Sequence, residues 1–279
     1  MSLKELRRRI ASVKSTQKIT SAMKMVASAK LRRLQERVIF GNSFLNSLNN
    51  IGSCLGKAQH DSEMPNAWLN PEGKHDLIII FGAEKGLCGG FYSNQMRQAN
   101  LAIENNPNAK LLVFGAKTIE ALKHMNIKNL PIKLDFSHPK MLTFLAIAKI
   151  IEPLKMHGEI GKIHIVGSSF KNILTQKSFH EILCPFVFES TNATNDRTIF
   201  EPSTDLFLPH FFTQYFAVRL HQCWIETLAG EMASRMTAMD NATRNAKDMI
   251  NDLSLLYNRS RQAKITTELN EIIAGAQGV

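Results

Sequence analysis

Apolar residues at the two ends of the chain recur at alternating steps of three and four, and between the ends the pattern changes. In the first flank Leu3, Leu6, Ile10, Val13, Gln17, Thr20, Lys24, Ala27, Leu31, Leu34, Val38, Gly41, Leu45 and Leu48 follow that spacing, and ten of the fourteen are apolar. In the second flank the spacing collects Ile225, Leu228, Met232, Arg235, Met239, Ala242, Ala246, Met249, Leu253 and Leu256, nine of them apolar. A stripe this narrow is the seam of a coiled coil, and two such stripes in one chain most simply cover each other. Helices of these lengths would run ~70 Å and ~90–100 Å, longer than a compact domain of this chain length is wide. The pair therefore projects as a rod and, tethered at its inner ends, runs antiparallel. Paired positions then sum to about 262, which places Leu6 near Leu256. Residues beyond about 260 outrun the first helix. That tip is apolar (Ile265, Leu269, Ile272, Ile273) and carries no charge after Glu271. Apolar tips left uncovered belong inside another protein.

The middle of the chain alternates between strand and helix periods. Leu77–Gly82, Leu111–Gly115, Ile132–Phe136 and Ile163–Gly167 read as strands, with a looser one near Phe179–Leu183, and helices are expected over 92–105, 116–125 and 140–157. This is the signature of a small, mostly parallel α/β sheet. All nine prolines lie between Pro65 and Pro209. Since proline breaks helix interiors, three parts are expected: an N-terminal coiled-coil helix over 1–64, a central Rossmann-like α/β domain over 65–209, and a C-terminal coiled-coil helix with its apolar tip over 210–279.

Charge adds one feature. The net charge of +10 is concentrated in residues 1–50, which hold eleven Lys/Arg and two acids; the other parts are nearly balanced. A basic arm faces nucleic acid, a membrane surface or an acidic protein, and composition does not choose among them. The arm has no aromatic before Phe40 on which bases could stack, and its apolar stripe is too narrow for a helix lying on a bilayer. No apolar run approaches the roughly 18–20 residues needed to span a membrane, and the opening MSLKELRRRI has no secretory pattern. Cys54, Cys88, Cys184 and Cys223 are scattered with no C-x-x-C, which suits a reducing compartment.

Candidate chemistry is sparse. The glycine-rich turn GAEKGLCGG (82–90) follows a strand and could cradle phosphate with its N–H groups. It matches neither G-x-G-x-x-G nor G-x-x-x-x-G-K-[ST], so a structural turn is the competing reading. Cys88 within it is either an acidified thiol or a half-buried cysteine. The nine histidines show no metal-ligand spacing, Ser168-Ser169 lacks the G-x-S-x-G elbow, and Glu84, Asp135 and Glu159 form no identifiable acid–base pair. No catalytic residue, cofactor or metal is expected. An α/β enzyme, or a nucleic-acid-binding protein, with a coiled-coil arm remains the alternative.

Longer motifs go further. LKELRRRIASVKSTQKITSAMKMVASAKLRRLQ (3–35), GLCGGF (86–91) and EMASRMTAMDNATRNAKDMINDLSLLYNRSRQAKITTELNEIIAGA (231–276) resemble the opening, first-turn and closing signatures of the γ subunit family of F-type ATP synthases. Ala83-Glu84-Lys85 stand where that family commonly has S-D-R, and residues 100–200 match loosely. The resemblance implies a non-catalytic rotor shaft. Its coiled coil enters the hexamer of α and β subunits, its base sits on the membrane c-ring with the ε subunit, and rotation is driven by protons, or by sodium in some members. It implies that Met23, Lys24, Arg235 and Met239 face the C-terminal levers of the β subunits. Arg261 and Gln262 match the pair that hydrogen-bonds a β-subunit loop, and Ile265, Leu269, Ile272 and Ile273 line a bearing. For Lys24 and Arg235, charged residues at seam positions, the other reading is that they only set helix register. With no transit peptide before the first Met, the expected place is the cytoplasmic side of a bacterial inner membrane, peripheral and held through the complex, with no nucleic-acid partner.

Overall fold

The computed structural model describes residues 2–58, 68–124, 140–187 and 204–277. Elements follow the order α1 (Leu3–Ala58), β1 (His75–Phe81), α2 (Phe91–Asn105), β2 (Lys110–Phe114), α3 (Ala116–Lys123), α4 (Met141–Met156), β3 (Ile160–Phe170), β4 (Gln176–Cys184) and α5 (Thr204–Gln277). The strand expected at Ile132–Phe136 lies outside the described residues. The chain forms two compact units, one of Met1–Ala29 with Arg235–Val279, the other of Lys30–Ser234.

In the first unit the outer parts of α1 and α5 run antiparallel. Ser2 caps α1, its hydroxyl accepting the Glu5 N–H at 3.2 Å. The hydroxyls of Thr20 and Thr243 lie 2.8 Å apart, and Lys24 Nζ is 2.6 Å from Asp240 Oδ1. These contacts pair positions summing to 263 and 264, close to the expected 262. Seam positions expected on this part of α1 are buried or half-buried without exception. In α5 the expectation needs a correction. Met249 and Leu256 are 44% and 45% exposed, while Ile250, Leu253 and Tyr257 are the half-buried residues. Two successive steps of four, from Arg235 to Met239 to Thr243, shift the stripe by one position, because a straight helix of 3.6 residues per turn outruns a 3.5-residue repeat. Leu6, fully buried, is therefore level with Tyr257, and Leu256 turns outward.

The second unit is a three-layer α/β arrangement around a sheet ordered β2-β1-β3-β4. β1 pairs in parallel with β2 and β3, whereas β4 returns antiparallel from β3 as the edge. The hairpin turn is fastened by Asn172, whose side-chain oxygen accepts the N–H groups of Leu174 and Thr175 at 3.0 and 2.7 Å. β3 runs past the expected Gly167 to Phe170 because Ser168–Phe170 pair with β4. β1 is covered on both faces, which is why LIIIF is a continuous apolar run. Ile78 and Ile80 pack with Val166 beneath α2 and α3, where Ala99, Ala102 and Leu122 close the layer. Leu77, Ile79 and Phe81 point the other way, into an aromatic core with Phe144 of α4 and Phe212, Phe216 and Trp224 of α5. α5 starts at Thr204, so Pro209, expected as the last residue of the central domain before the C-terminal helix, sits inside the helix. The inner part of α1 lies antiparallel to α5 here as well: Tyr215 donates to Asn49 at 2.8 Å, and Gln222 donates to the Val38 carbonyl at 3.2 Å.

Candidate functional site

In open α/β sheets ligands bind beyond the carboxyl ends of the strands, where the strand order reverses. In this sheet that place is between β1 and β3, and the glycine-rich turn after β1 lies at it. The turn is shaped by backbone rather than by packing alone: Leu87 and Gly89 have φ of 61° and 55°. Its N–H groups do face an anion, and the anion belongs to the chain. Glu231 of α5 is 0% exposed, and its two carboxylate oxygens accept the N–H groups of Glu84 at 3.0 Å and Lys85 at 3.2 Å. Ser234 donates to the Cys88 carbonyl at 2.7 Å, and Thr227 Oγ1 accepts the Ser168 N–H of β3 at 3.1 Å. Glu84 in turn accepts the Ala116 N–H at the start of α3. A phosphate at this turn would have to displace a buried carboxylate. The structural reading of GAEKGLCGG therefore prevails at Glu84 and Lys85. Cys88 is buried.

Other buried titratable groups of the second unit also meet partners within it. Lys155, buried, donates to the carbonyls of Asn70 and Gly161 at 2.9 and 2.7 Å, and desolvation lowers its pKa. Burial pushes the Cys184 thiol up to about 12, far from a reactive thiolate. His164 Nδ1 and His180 Nε2 lie 3.0 Å apart on neighbouring strands, with Asp76 3.7 Å from the other nitrogen of His164; burial lowers the pKa of both rings. Among the described residues no group of three or more His, Cys, Asp or Glu is arranged to hold a metal ion. No described helix is long and apolar enough to cross a membrane.

The residues singled out for partner contacts fall in the first unit. Met23 and Lys24 are half-buried on α1, and Lys24 is level with Asp240, one residue past Met239. Arg235 and Met239 are 7% and 6% exposed. The structure thus gives Lys24 a partner that sequence reasoning missed. Asp240 follows the seam residue Met239 and stands four residues before Arg244, which it also binds. Lys24 first and Arg244 second hold its carboxyl below the usual aspartate range. A signal for this existed, in an acid beside the seam opposite the lone seam lysine. Arg261 and Gln262 are exposed, as are Ile265 (47%), Leu269 (53%), Ile272 (68%) and Ile273 (54%). Every side chain from Arg261 to Ile273 is open to solvent while the backbone stays helical.

Glu231, Thr227 and Ser234 were also missed. They are polar residues at steps of four and three, offset from the apolar seam of the same helix, and an acid in such a place ordinarily reads as solvated.

Known proteins share this arrangement of elements. A solved structure of the Euglena gracilis mitochondrial ATP synthase rotor matches with a TM-score of 0.64 at 16% identity, over 94% of this chain and 98% of the other. Another, of the central stalk and c-ring of the Tetrahymena thermophila mitochondrial ATP synthase, matches with a TM-score of 0.57 at 24% identity, over 80% of this chain and 99% of the other. These likenesses concern the fold. The sequence relatives are nearer. The ATP synthase gamma chain of Pelagibacter ubique is 37% identical over 289 residues, covering 99% of both chains, and that of Desulforamulus reducens is 38% identical over 283 residues, covering 99% and 98%. A family model described as ATP synthase matches residues 2–279. With full-length relatives at this identity and a family match over nearly every residue, the chain belongs to the ATP synthase γ chain family.

Proposed function

We propose that this chain is the central-stalk rotor subunit of a proton-translocating F-type ATP synthase and carries torque between the membrane c-ring and the catalytic hexamer of α and β subunits. It performs no nucleotide chemistry itself. The ε subunit is its companion at the base, and the complex holds it at the cytoplasmic side of a bacterial inner membrane. Nucleic acid is not a partner. The basic face of α1 meets acidic levers on the β subunits.

One observation carries this reading. From Arg261 to Ile273 α5 remains helical with every side chain exposed, four of them large and apolar. A helix in that state is finished by a surrounding protein. Met23, Lys24, Arg235 and Met239 then stand on the shaft where the β subunits act on it. Arg261 and Gln262 form polar contacts near the entry to the bearing, and Ile265, Leu269, Ile272 and Ile273 form the bearing itself. The self-occupied turn at Glu84 and Lys85 supports the non-catalytic part of the proposal, because the fold's usual ligand crevice is filled from within.

Affinity purification of the tagged chain from native membranes tests it. Recovery of α, β and ε chains with the bait is the expected result. Recovery of the chain alone, together with micromolar ATP binding by calorimetry, would restore the enzyme reading.

A further inference from the structure

α5 presents two different faces within the second unit. Ile225, Leu228 and Met232 are the positions that the heptad spacing assigns to the seam with α1. Thr227, Glu231 and Ser234, two residues further round, reach the carboxyl ends of β3 and β1 instead. The helix is seated closely on this second face. A Cβ added to Gly230 would stand 2.9 Å from the Phe91 ring, and one added to Gly167 would stand 2.4 Å from the Cys223 sulfur.

The hydrophobic driving force is indifferent to direction, so the packed rings around α5 oppose its rotation by steric interlock and not by a preferred angle of contact. Hydrogen bonds are directional and weaken steeply once stretched by a few tenths of an ångström or bent below about 120° at the hydrogen. Those of Glu231 are also charge-assisted, and a buried carboxylate that loses such donors is disfavoured. The grip extends further, since Glu84 passes from the turn to the Ala116 N–H at the start of α3. One buried side chain thus ties α5, the turn after β1 and, through Glu84, α3. Ser168 of β3 is tied by Thr227 one helical turn away.

We propose that Glu231, backed by Thr227 and Ser234, is the positioning residue that locks α5 against rotation on the α/β unit, so that torque passes between them without slip. This inference rests on the rotor reading above. The anion-binding geometry of the glycine-rich turn serves here to hold the chain's own carboxylate.

The test uses the assembled complex in inverted membrane vesicles, with ATP hydrolysis and ATP-driven proton pumping measured together. Glu231→Ala is expected to retain hydrolysis while pumping per ATP falls. The Glu84 and Lys85 amides should exchange with deuterium about tenfold faster or more, the factor expected for losing a buried charge-assisted pair of hydrogen bonds. Ser234→Ala should give a smaller loss of pumping per ATP, and Ser234→Thr, which keeps the hydroxyl, should restore it. Loss of hydrolysis and pumping in proportion, or an unchanged ratio in Glu231→Ala, would overturn the proposal. Should Glu231→Ala fail to assemble, the paired change Thr227→Val with Ser234→Ala is read in its place, and a wild-type ratio there overturns it equally. Failure of the rotor reading looks different: vesicles carrying the unaltered chain would then pump no better than vesicles lacking it.

Discussion

α5 is one continuous helix with two kinds of surroundings. Between Leu208 and Asp240 only His210 and Gln214 are exposed, whereas from Asn241 to Ser260 most residues are exposed and burial narrows toward a stripe through Thr243, Ala246, Ile250, Leu253 and Tyr257. The composition changes earlier, after Trp224. Phe207, Phe211, Phe212, Tyr215, Phe216 and Trp224 crowd the inner stretch, and Tyr257 is the lone aromatic after Trp224. A helix apolar on most sides is a core element, and one with a narrow stripe needs only a single neighbour. The inner stretch is built to be immovable within its unit. The outer stretch is built to stay helical with most of its surface free.

The sharpest way to break this contrast is to cut the same element on both sides of it. Trp224 is 2% exposed and its ring lies 6.0 Å from those of Phe81 and Phe114. Trp224→Ala should destabilise the chain by about 3–5 kcal/mol in urea unfolding, the usual cost of truncating a buried aromatic. Leu253, half-buried on the outer stripe, should cost roughly 1 kcal/mol as Leu253→Ala. Equal costs would mean that the outer stripe is a core in its own right.

The next test sharpens the seam. Thr20→Cys with Thr243→Cys replaces two hydroxyls 2.8 Å apart and should close to an intramolecular disulfide on mild oxidation. Leu6→Cys with Tyr257→Cys should close more readily than Leu6→Cys with Leu256→Cys, because Leu256 is turned outward. The reverse preference would restore the strict heptad and remove the one-residue shift.

What could be read from the sequence divides along the same line. Seam positions along the whole of α1 were legible because each faces a single neighbour and the period alone decides it. α5 went astray where its period drifts, since a pair of four-residue steps differs from a heptad by one residue and only burial tells Thr243 from Ala242 as its end. β1, β2 and α2–α4 could be read from period and turn residues, but the antiparallel direction of β4 could not, because pairing direction leaves no mark in a single strand's alternation. Glu231 was illegible for a different reason. It binds backbone N–H groups of Glu84 and Lys85, nearly 150 positions away, and no side-chain pattern announces them. Asp240 sat in plain view beside the seam, and the exposed tip could be read because nothing in the chain was long enough to cover it.

A smaller effect separates the two kinds of surroundings by pH. His164 and His180 are held by neighbouring strands of the inner unit with their rings in contact at 3.0 Å, and burial lowers the pKa of each. Asp76 opposes the shift at His164, and Lys162 adds to it; Glu181 opposes it at His180. A depressed folded-state pKa means that the unfolded chain takes up protons first. The stability contributed by the neutral pair is complete above the ordinary histidine value of about 6.5 and is lost as pH falls through the folded values. Urea midpoints measured from about pH 7 down to pH 5 should fall, and His164→Asn with His180→Asn should flatten the decline. An equally steep decline in the double variant would assign the pH dependence elsewhere, with His221, also depressed by burial and then by Arg37, the next to examine.

The smallest effect belongs to the outer unit. Lys24 and Asp240 meet at 2.6 Å with side-chain exposures of 44% and 23%, and Arg244 shares the carboxylate. Water and salt reach such a pair, so its attraction is offset by the ordering of two side chains and weakened by screening. Lys24→Gln, Asp240→Asn and the double variant should therefore show a coupling that is weak in dilute buffer and absent at about 1 M salt. The sign against pH is opposite in origin to that of the histidines but not in direction. A carboxylate held below its usual range by Lys24 and Arg244 contributes its stabilisation above that range and loses it as pH falls through the folded value. Coupling that survives high salt would show the lysine and aspartate to be shielded from solvent. The outer stretch would then be locked ionically at this level, and Lys24 would be less free to answer a charged partner than its exposure suggests.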